Sequence, residues 1–344
     1  MKIIKKFKEI IKDIIFYRTK PLFIKNKFID NHLITKGLRL NITKFGKKNK
    51  KKFFYVIKRT PGAGLFSNLS FVLNHLIIAK KFNLIPVVDM ENFLTFYNEK
   101  EKIFKTKNAW EYYFEKVNNL SLKQVYKSEN VMFTDNIFHK NFYRDNIFKK
   151  SEVINAFKKH IKIREYYLKE ANKFINKKLK HKKVLGVFLR GGEFLRISNH
   201  HFPPSINQAI NKVHEILKNE NYDKIFLSTI EKRYYKKFKS EFGNKLVVYP
   251  SLRSDRDLMR FYPRNLHRYK MGKEILIESL ILSLADGFFY SYTNVSQFVL
   301  LLNMNKKQKK YFINNGKNHK NLLIASFYWY YKNFMPTSLG GFVK

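Results

Sequence analysis

Short apolar runs and helically spaced apolar positions alternate along this chain in two separate blocks. In the first, Phe53–Lys58 (FFYVIK) predicts a strand, Pro61–Gly64 a turn, Asn68 to Lys81 a helix and Leu84–Asp89 a second strand. A strand, a turn, a helix and a strand in that order make the repeating unit of a parallel α/β layer. From Glu91 to about Lys180 the stretch is expected to be mostly helical and irregular, with aromatic clusters such as Trp110–Phe114. The pattern restarts at Lys183. Val184–Leu189, Lys224–Ser228, Lys245–Tyr249 and Gly287–Ser291 predict strands. Ser205–Asn219, Glu231–Glu241 and Gly272–Leu284 predict the helices between them, and a further helix opens at Ser296. Such alternation predicts a doubly wound parallel sheet, whose ligands bind at the carboxyl ends of the strands.

Two blocks in 344 residues predict two α/β domains, 1–180 and 181–344, with Lys177–Lys183 as the hinge. The apolar share of 44% is enough for a sizeable core. Lys and Arg number 69 against 26 Asp and Glu, a net charge of +43. The basic residues are spread along the chain, with local runs at Lys47–Lys52, Lys177–Lys183 and Lys306–Lys310. No zinc-finger spacing, RNA-binding aromatic signature or basic zipper accompanies them, so a generally basic surface is expected rather than a specific nucleic-acid module. The absence of cysteine excludes disulfides and Cys-ligated metal. No run approaches the ~20 apolar residues of a membrane span.

The N-terminal segment places Ile3, Ile4, Phe7, Ile10, Ile11, Ile14 and Ile15 at helical spacing with lysines opposite. Docking on an anionic membrane surface and packing on the protein's own body are both open for it. It has no signal-peptide pattern. The expected location is cytoplasmic, peripheral on the inner face of the membrane.

Candidate chemistry falls at the predicted strand tips. Gly62, Gly64 and Asn68 form a glycine turn before a helix. They suit either close approach of an anionic ligand or a simple tight turn. Arg190, Gly191, Gly192 and Glu193 follow a strand. An arginine fork there fits two phosphate oxygens, and the glycines let a diphosphate come close. His200 and His201 are adjacent, and neighbouring side chains on an extended strand point opposite ways, so no metal site is expected. Thr229 is either a helix cap or a nucleoside contact. Glu278 lies in an apolar helix, where a carboxylate is costly unless it is paired or binds something. Thr293, Asn294 and Ser296 form a hydroxyl-rich turn, either a phosphate-binding helix start or a capped turn.

From Val184 to about Leu302 the order of these clusters resembles the fucosyltransferase superfamily. That superfamily includes the core α1,6-fucosyltransferases and the rhizobial nodulation fucosyltransferase, and more distantly the α1,2- and protein O-fucosyltransferases. The resemblance rests on GVFLRGGE followed by Pro203, on KIFLSTIEK, and on GKEILIESLILSLADGFFYSYTNVSQF. It implies a GT-B-like fold: two Rossmann-like domains with a cleft between them, the first on the acceptor side. It implies a GDP-sugar donor held mainly by the C-terminal domain, no metal or other cofactor, and inversion at the anomeric carbon. Arg190 would hold the diphosphate, with Lys273 adding positive charge. Glu278 would contact the guanine or ribose region, and Thr293, Asn294 and Ser296 the phosphates. Glu193 and His201 are the candidates for a base.

The second arginine of the family's first motif is Gly191 here, that motif's histidine is Phe188 and its aspartate Glu193, and the acidic pair of the second motif is Ile230 and Glu231. These departures leave fucose, a heptose or another sugar open. The expected acceptor is a glycan or lipid-linked glycan of bacterial surface polysaccharide or lipopolysaccharide. Two other classes stand beside the transferase: a basic polyanion- or nucleic-acid-binding protein, and an inactive scaffold of glycan assembly.

Overall fold

The structure is a computed structural model, which describes residues 21–22, 40–134, 148–190, 200–256, 258, 262–304 and 307–341. The basic N-terminal segment and the expected site residues Gly191, Gly192 and Glu193 lie outside the described residues. The chain divides into two compact units, Met1–Lys162 and Ile163–Lys344.

The first unit holds one mixed sheet. Its strands are β1 (Pro21–Leu22), β2 (Leu40–Thr43), β3 (Lys48–Ile57), β4 (Ile85–Val88) and β5 (Ser128–Phe133), in the order β1-β2-β5-β3-β4. β3 runs parallel to both β4 and β5, while β2 pairs antiparallel with β5. The lysine-rich first half of β3 is exposed, and Phe54–Ile57 are buried. Helix α1 (Leu65–Lys81) crosses from β3 to β4. It is buried on nearly all sides from Leu65 to Ala79, because the sheet lies against one face and another helix, Lys150–His160, against a second. A helix enclosed in this way is apolar all round rather than amphipathic. The helical turn α2 (Leu122–Val125) leads into β5, and the helix at Lys150–His160 is α3.

The second unit opens with α4 (Glu165–Lys178), then alternates β6 (Val184–Phe188), α5 (Ile206–Asn219), β7 (Lys224–Ser228), α6 (Lys232–Phe242) and β8 (Leu246–Val247). It continues with α7 (His267–Leu284), β9 (Gly287–Tyr290), α8 (Asn294–Leu302), β10 (Lys309–Phe312) and α9 (Leu322–Phe334). All five strands are parallel, in the order β10-β9-β6-β7-β8. Successive strand residues face opposite ways. Leu185, Val187, Ile225 and Leu227 pack against α5 and α6 through Ala209, Val213, Tyr234 and Phe238. The other face meets α7. There a Cβ on Gly186 would stand 2.9 Å from Leu282 Cδ2 and 3.2 Å from Ala285 Cβ, so any side chain there would make Leu282 and the end of the helix give way. The sheet is therefore doubly wound, as the alternation predicts.

The division of the chain differs from the expected boundary near Lys180. Helix α4 packs with the second unit: Tyr167 and Ala171 are buried on α7, and Tyr167 Oη donates to Tyr269 Oη at 3.2 Å. Strand β5 occupies a stretch expected to be irregular, and β2, β10 and α9 add elements that the alternation does not reveal.

Candidate functional site

Strand order places the crevice. From β6 the chain moves outward through β7 and β8, then returns to the opposite side of β6 for β9. Order therefore reverses between β6 and β9, and such a switch point is where doubly wound sheets bind ligands, at the carboxyl ends of the strands. At the end of β6, Leu189 N donates to Ser228 O at 3.0 Å, and the next residue is Arg190, partly buried. At the end of β9 come Ser291, Tyr292 and Thr293, then α8 starting at Asn294. Arg190 and the Thr293–Ser296 turn, separated by a hundred residues of sequence, thus follow adjacent strands at the same end of the sheet.

The α8 turn is tightly capped. Thr293 Oγ1 accepts from Ser296 N and Ser296 Oγ accepts from Thr293 N, both at 3.0 Å. Ser296 Oγ also donates to Ser291 O at 2.8 Å. These hydroxyls hold the turn in shape. What a helix start of this kind offers an anion is its first-turn amides and the positive end of its dipole. His201, bridged to Lys317, stacks on Tyr292 with ring centroids 4.6 Å apart. It therefore sits beside the β9 tip.

The β7 tip adds a carboxylate. Thr229 is buried, and its Oγ1 accepts from Glu231 N at 3.2 Å, which turns the chain into α6. Glu231 is itself buried. Burial pushes its carboxyl up from the usual carboxylate range, while Arg233 and Arg190 pull it back down. Arg190 and Glu231, on neighbouring tips, thus feel each other's charge. Glu231 stands where the resembled family has an acidic pair, but its burial beside Arg190 depends on strand order, which the sequence does not display.

Glu278 has a different surrounding. It is 2% exposed on α7 and takes hydrogen bonds from Ser228 Oγ and Ser251 Oγ, each at 2.6 Å. Arg253 Nη2 lies 3.6 Å away, while the same guanidinium donates to the carbonyls of Ser251 and Tyr249 at 3.0 Å. One helical turn earlier, Glu274 takes both arms of Arg264, at 2.5 and 2.8 Å. Two carboxylates on one face of α7 thus clamp the chain that leaves β8. Burial is the main cause that pushes the Glu278 carboxyl up to about 7, opposed by Arg253 and the two serines. Its oxygens are spent inside the protein, so it shapes the crevice wall. Lys273 is paired elsewhere. Its ammonium is held by Glu170 at 2.9 Å and Tyr166 at 2.9 Å, both on α4, and does not join Arg190.

In the first unit the glycine turn comes after β3. Gly62 has φ +77°, and a Cβ there would meet Asn68 Oδ1 at 3.0 Å. Asn68 Oδ1 accepts from Ala63 N at 2.9 Å and so fills the concave side of the turn. Gly64 is the N-cap residue of α1, and Leu65 N is taken by Tyr97 Oη at 2.7 Å. Arg59, two residues past β3, donates to Ser67 O at 2.5 Å and lies 5.1 Å over the Phe71 ring. Burial pushes its guanidinium down to about 10. Gly62, Gly64 and Asn68 form a self-filled turn.

Among the described residues no cluster of three or more His, Asp or Glu side chains is arranged to hold a metal ion, and no helix is long and apolar enough to cross a membrane.

No protein-family model matches the chain. Over 205 residues it is 25% identical to GDP-fucose protein O-fucosyltransferase 2 of Plasmodium berghei (strain Anka), a match that spans 56% of this chain and 40% of that protein's length. Among solved structures it is similar to the NodZ alpha-1,6-fucosyltransferase soaked with GDP-fucose, with 14% identity, a TM-score of 0.47, and coverage of 73% of this chain and 93% of that one. It is also similar to POFUT1 in complex with GDP, with 12% identity, a TM-score of 0.46, and coverage of 76% and 98%. The curated relative carries the same kind of name as the superfamily that the three motifs resemble.

Proposed function

We propose that this chain is a glycosyltransferase that takes a sugar from a GDP-linked donor bound at the β6–β9 switch point. The observation that carries the reading is that Arg190 and the N-terminus of α8 follow adjacent parallel strands, at the end of the sheet where α/β folds take nucleotides. The name of the Plasmodium relative, a GDP-fucose protein O-fucosyltransferase, supports a GDP-sugar as donor.

In the transfer, an acceptor hydroxyl oxygen bonds the anomeric carbon as the bond from that carbon to the diphosphate breaks. The diphosphate leaves with the electron pair and the acceptor's proton passes to a base. Attack from the face opposite the leaving group inverts the anomeric centre. Charge building on the leaving phosphate must be met by preorganised donors. The Arg190 fork and the first-turn amides of α8 supply them. Gly191 and Gly192 give the diphosphate room, and Glu231 keeps the Arg190 side chain directed along the tip. Glu278, through Ser228 and Ser251, fixes the wall that a nucleoside would lie against, with Thr229 at its edge. His201, stacked on Tyr292, and Glu193 are the two candidates for the base. The acceptor is a hydroxyl of a glycan or lipid-linked glycan, and the first unit is assigned to it.

The test is calorimetric titration of the protein with GDP, UDP, CMP and ADP in chelator, repeated with Arg190→Ala. GDP binding that the substitution removes is the expected result. Binding of another nucleotide, or of none, overturns the donor assignment.

A further inference from the structure

From Gly287 to Lys344 the chain carries eight lysines and neither Asp nor Glu. This acid-free stretch contains helix α9, which runs LLIASFYWYYKNF. A helix on a protein body normally turns its apolar stripe inward. Here the arrangement is reversed. Ala325 is fully buried, and the helix is tied to the body on that side. Asn318 Nδ2 donates to Ala325 O at 3.2 Å, and Tyr328 packs on Phe202 with ring centroids 5.8 Å apart. Leu323, Phe327, Tyr330 and Phe334 follow the i, i+4, i+7, i+11 spacing that lines up one face of a helix. That face points away from Ala325, with Leu323 81%, Phe327 73% and Phe334 76% exposed. Three large apolar side chains so exposed on one stripe exceed the scattered apolar residues of an ordinary surface.

We infer that α9 is a membrane-docking helix whose occupant is the headgroup and upper acyl region of an anionic lipid bilayer. Two features choose this occupant. The first is charge. Lys317 and Lys320 are exposed just before the helix and Lys332 lies over the Tyr328 ring within it, all in a stretch whose own sequence holds no Asp or Glu. A second copy of a chain with net charge +43 would bring like charge against like, whereas an anionic leaflet concentrates around juxtaposed lysines. The second is the side-chain set. Leu and Phe along the stripe with Tyr beside them is the mixture that settles at the boundary between headgroups and acyl chains. Thirteen residues make a rod of about 20 Å, too short to cross a bilayer, so the helix lies in the surface plane. The inference is independent of which donor the crevice takes.

The full chain, mixed with vesicles of equal parts phosphatidylcholine and phosphatidylglycerol, is expected to sediment with them, and not with phosphatidylcholine alone. Rising salt weakens the association. Replacing Leu323, Phe327 and Phe334 together by serine is expected to lower vesicle affinity by about tenfold or more while the circular dichroism spectrum is kept. Undiminished binding by that variant overturns the proposal and moves the contact to another part of the chain, the basic N-terminal segment included. A concentration-dependent dimer in sedimentation velocity that the same variant abolishes also overturns it. Because the chain has no cysteine, Phe327→Cys labelled with an environment-sensitive dye decides the matter even if the triple variant fails to fold. Emission that rises and shifts blue on the anionic vesicles supports the docking, and unchanged emission overturns it.

Discussion

Two arginines occupy matching places in the two sheets. Arg59 lies two residues past the end of β3, and Arg190 two residues past the end of β6. Their fates differ because the chain continues differently beyond each strand. After β3, it turns at once into α1 and offers Arg59 the Ser67 carbonyl and the Phe71 face. Its guanidinium is consumed as a brace inside the fold, 7% exposed. After β6, the neighbouring β9 tip leads into α8 and the neighbouring β7 tip carries the buried Glu231, whose charge Arg190 feels. Strand order reverses at both places, since β3 lies between parallel β4 and β5 as β6 lies between β7 and β9, so what separates the two cations is what the following chain offers each of them.

The first way to test the contrast is to remove the clamp that shapes the second tip. Glu278→Ala leaves Arg253 and two serine hydroxyls without their buried acceptor and is expected to lower unfolding free energy by about 3 kcal/mol or more in denaturant titrations. A loss under about 1 kcal/mol would mean that the polar network is not what holds this tip.

Almost as large is the pH dependence of the same group. Its carboxyl titrates at about 7 in the fold against an ordinary 4.5, so the folded state holds the proton more tightly. The resulting stabilisation is complete below pH 4.5 and disappears as pH rises through about 7. Over that interval the native chain is expected to lose roughly 3 kcal/mol relative to Glu278→Gln, whose amide does not titrate. Parallel stability profiles for the two proteins would refute the burial effect.

The arginines themselves give the sharpest form of the comparison. Arg190→Ala is expected to weaken GDP binding about a hundredfold with stability changed by less than about 0.5 kcal/mol. Arg59→Ala should do the reverse, with about 2 kcal/mol of stability lost and GDP affinity intact. If both variants lose GDP binding at unchanged stability, the two tips are alike and the contrast fails. Smallest is Gly62→Ala: placing a Cβ at φ +77° against Asn68 should cost about 1 kcal/mol, read as a lowered thermal midpoint without effect on GDP affinity.

Much of the second sheet can be read in the sequence because its strands are short, apolar and bounded by turns or helix caps. The Ser205 capping box marks a helix start directly, while α8 opens at Asn294, two residues before the expected Ser296, because Thr293 caps it. Other elements give no such sign. β10, with the sequence KKYF, is largely exposed at the sheet edge, so no apolar alternation betrays it. β5 begins Ser-Glu-Asn and gains its place from pairing with β2 and β3 rather than from its own composition. Helix α9 hides for the opposite reason, since its apolar residues do not report which way they face.

Of the site, positions at strand tips were visible and partnerships were not. Lys273 belongs to α4 because Glu170 and Tyr166, a hundred residues earlier, are packed against it. Glu278 reads as an informative buried acid, but Ser228 and Ser251 are what turn it into a support for the wall.

The contact at Gly186 gives α7 a fulcrum. The carboxyl-terminal turn of that helix is pressed onto the sheet where no side chain separates them. Glu278 stands one turn and Glu274 two turns before that contact, with the loop that they tether. Any tilt of α7 about that contact is passed to the loop, and a single methyl group added at Gly186 would act there as a wedge.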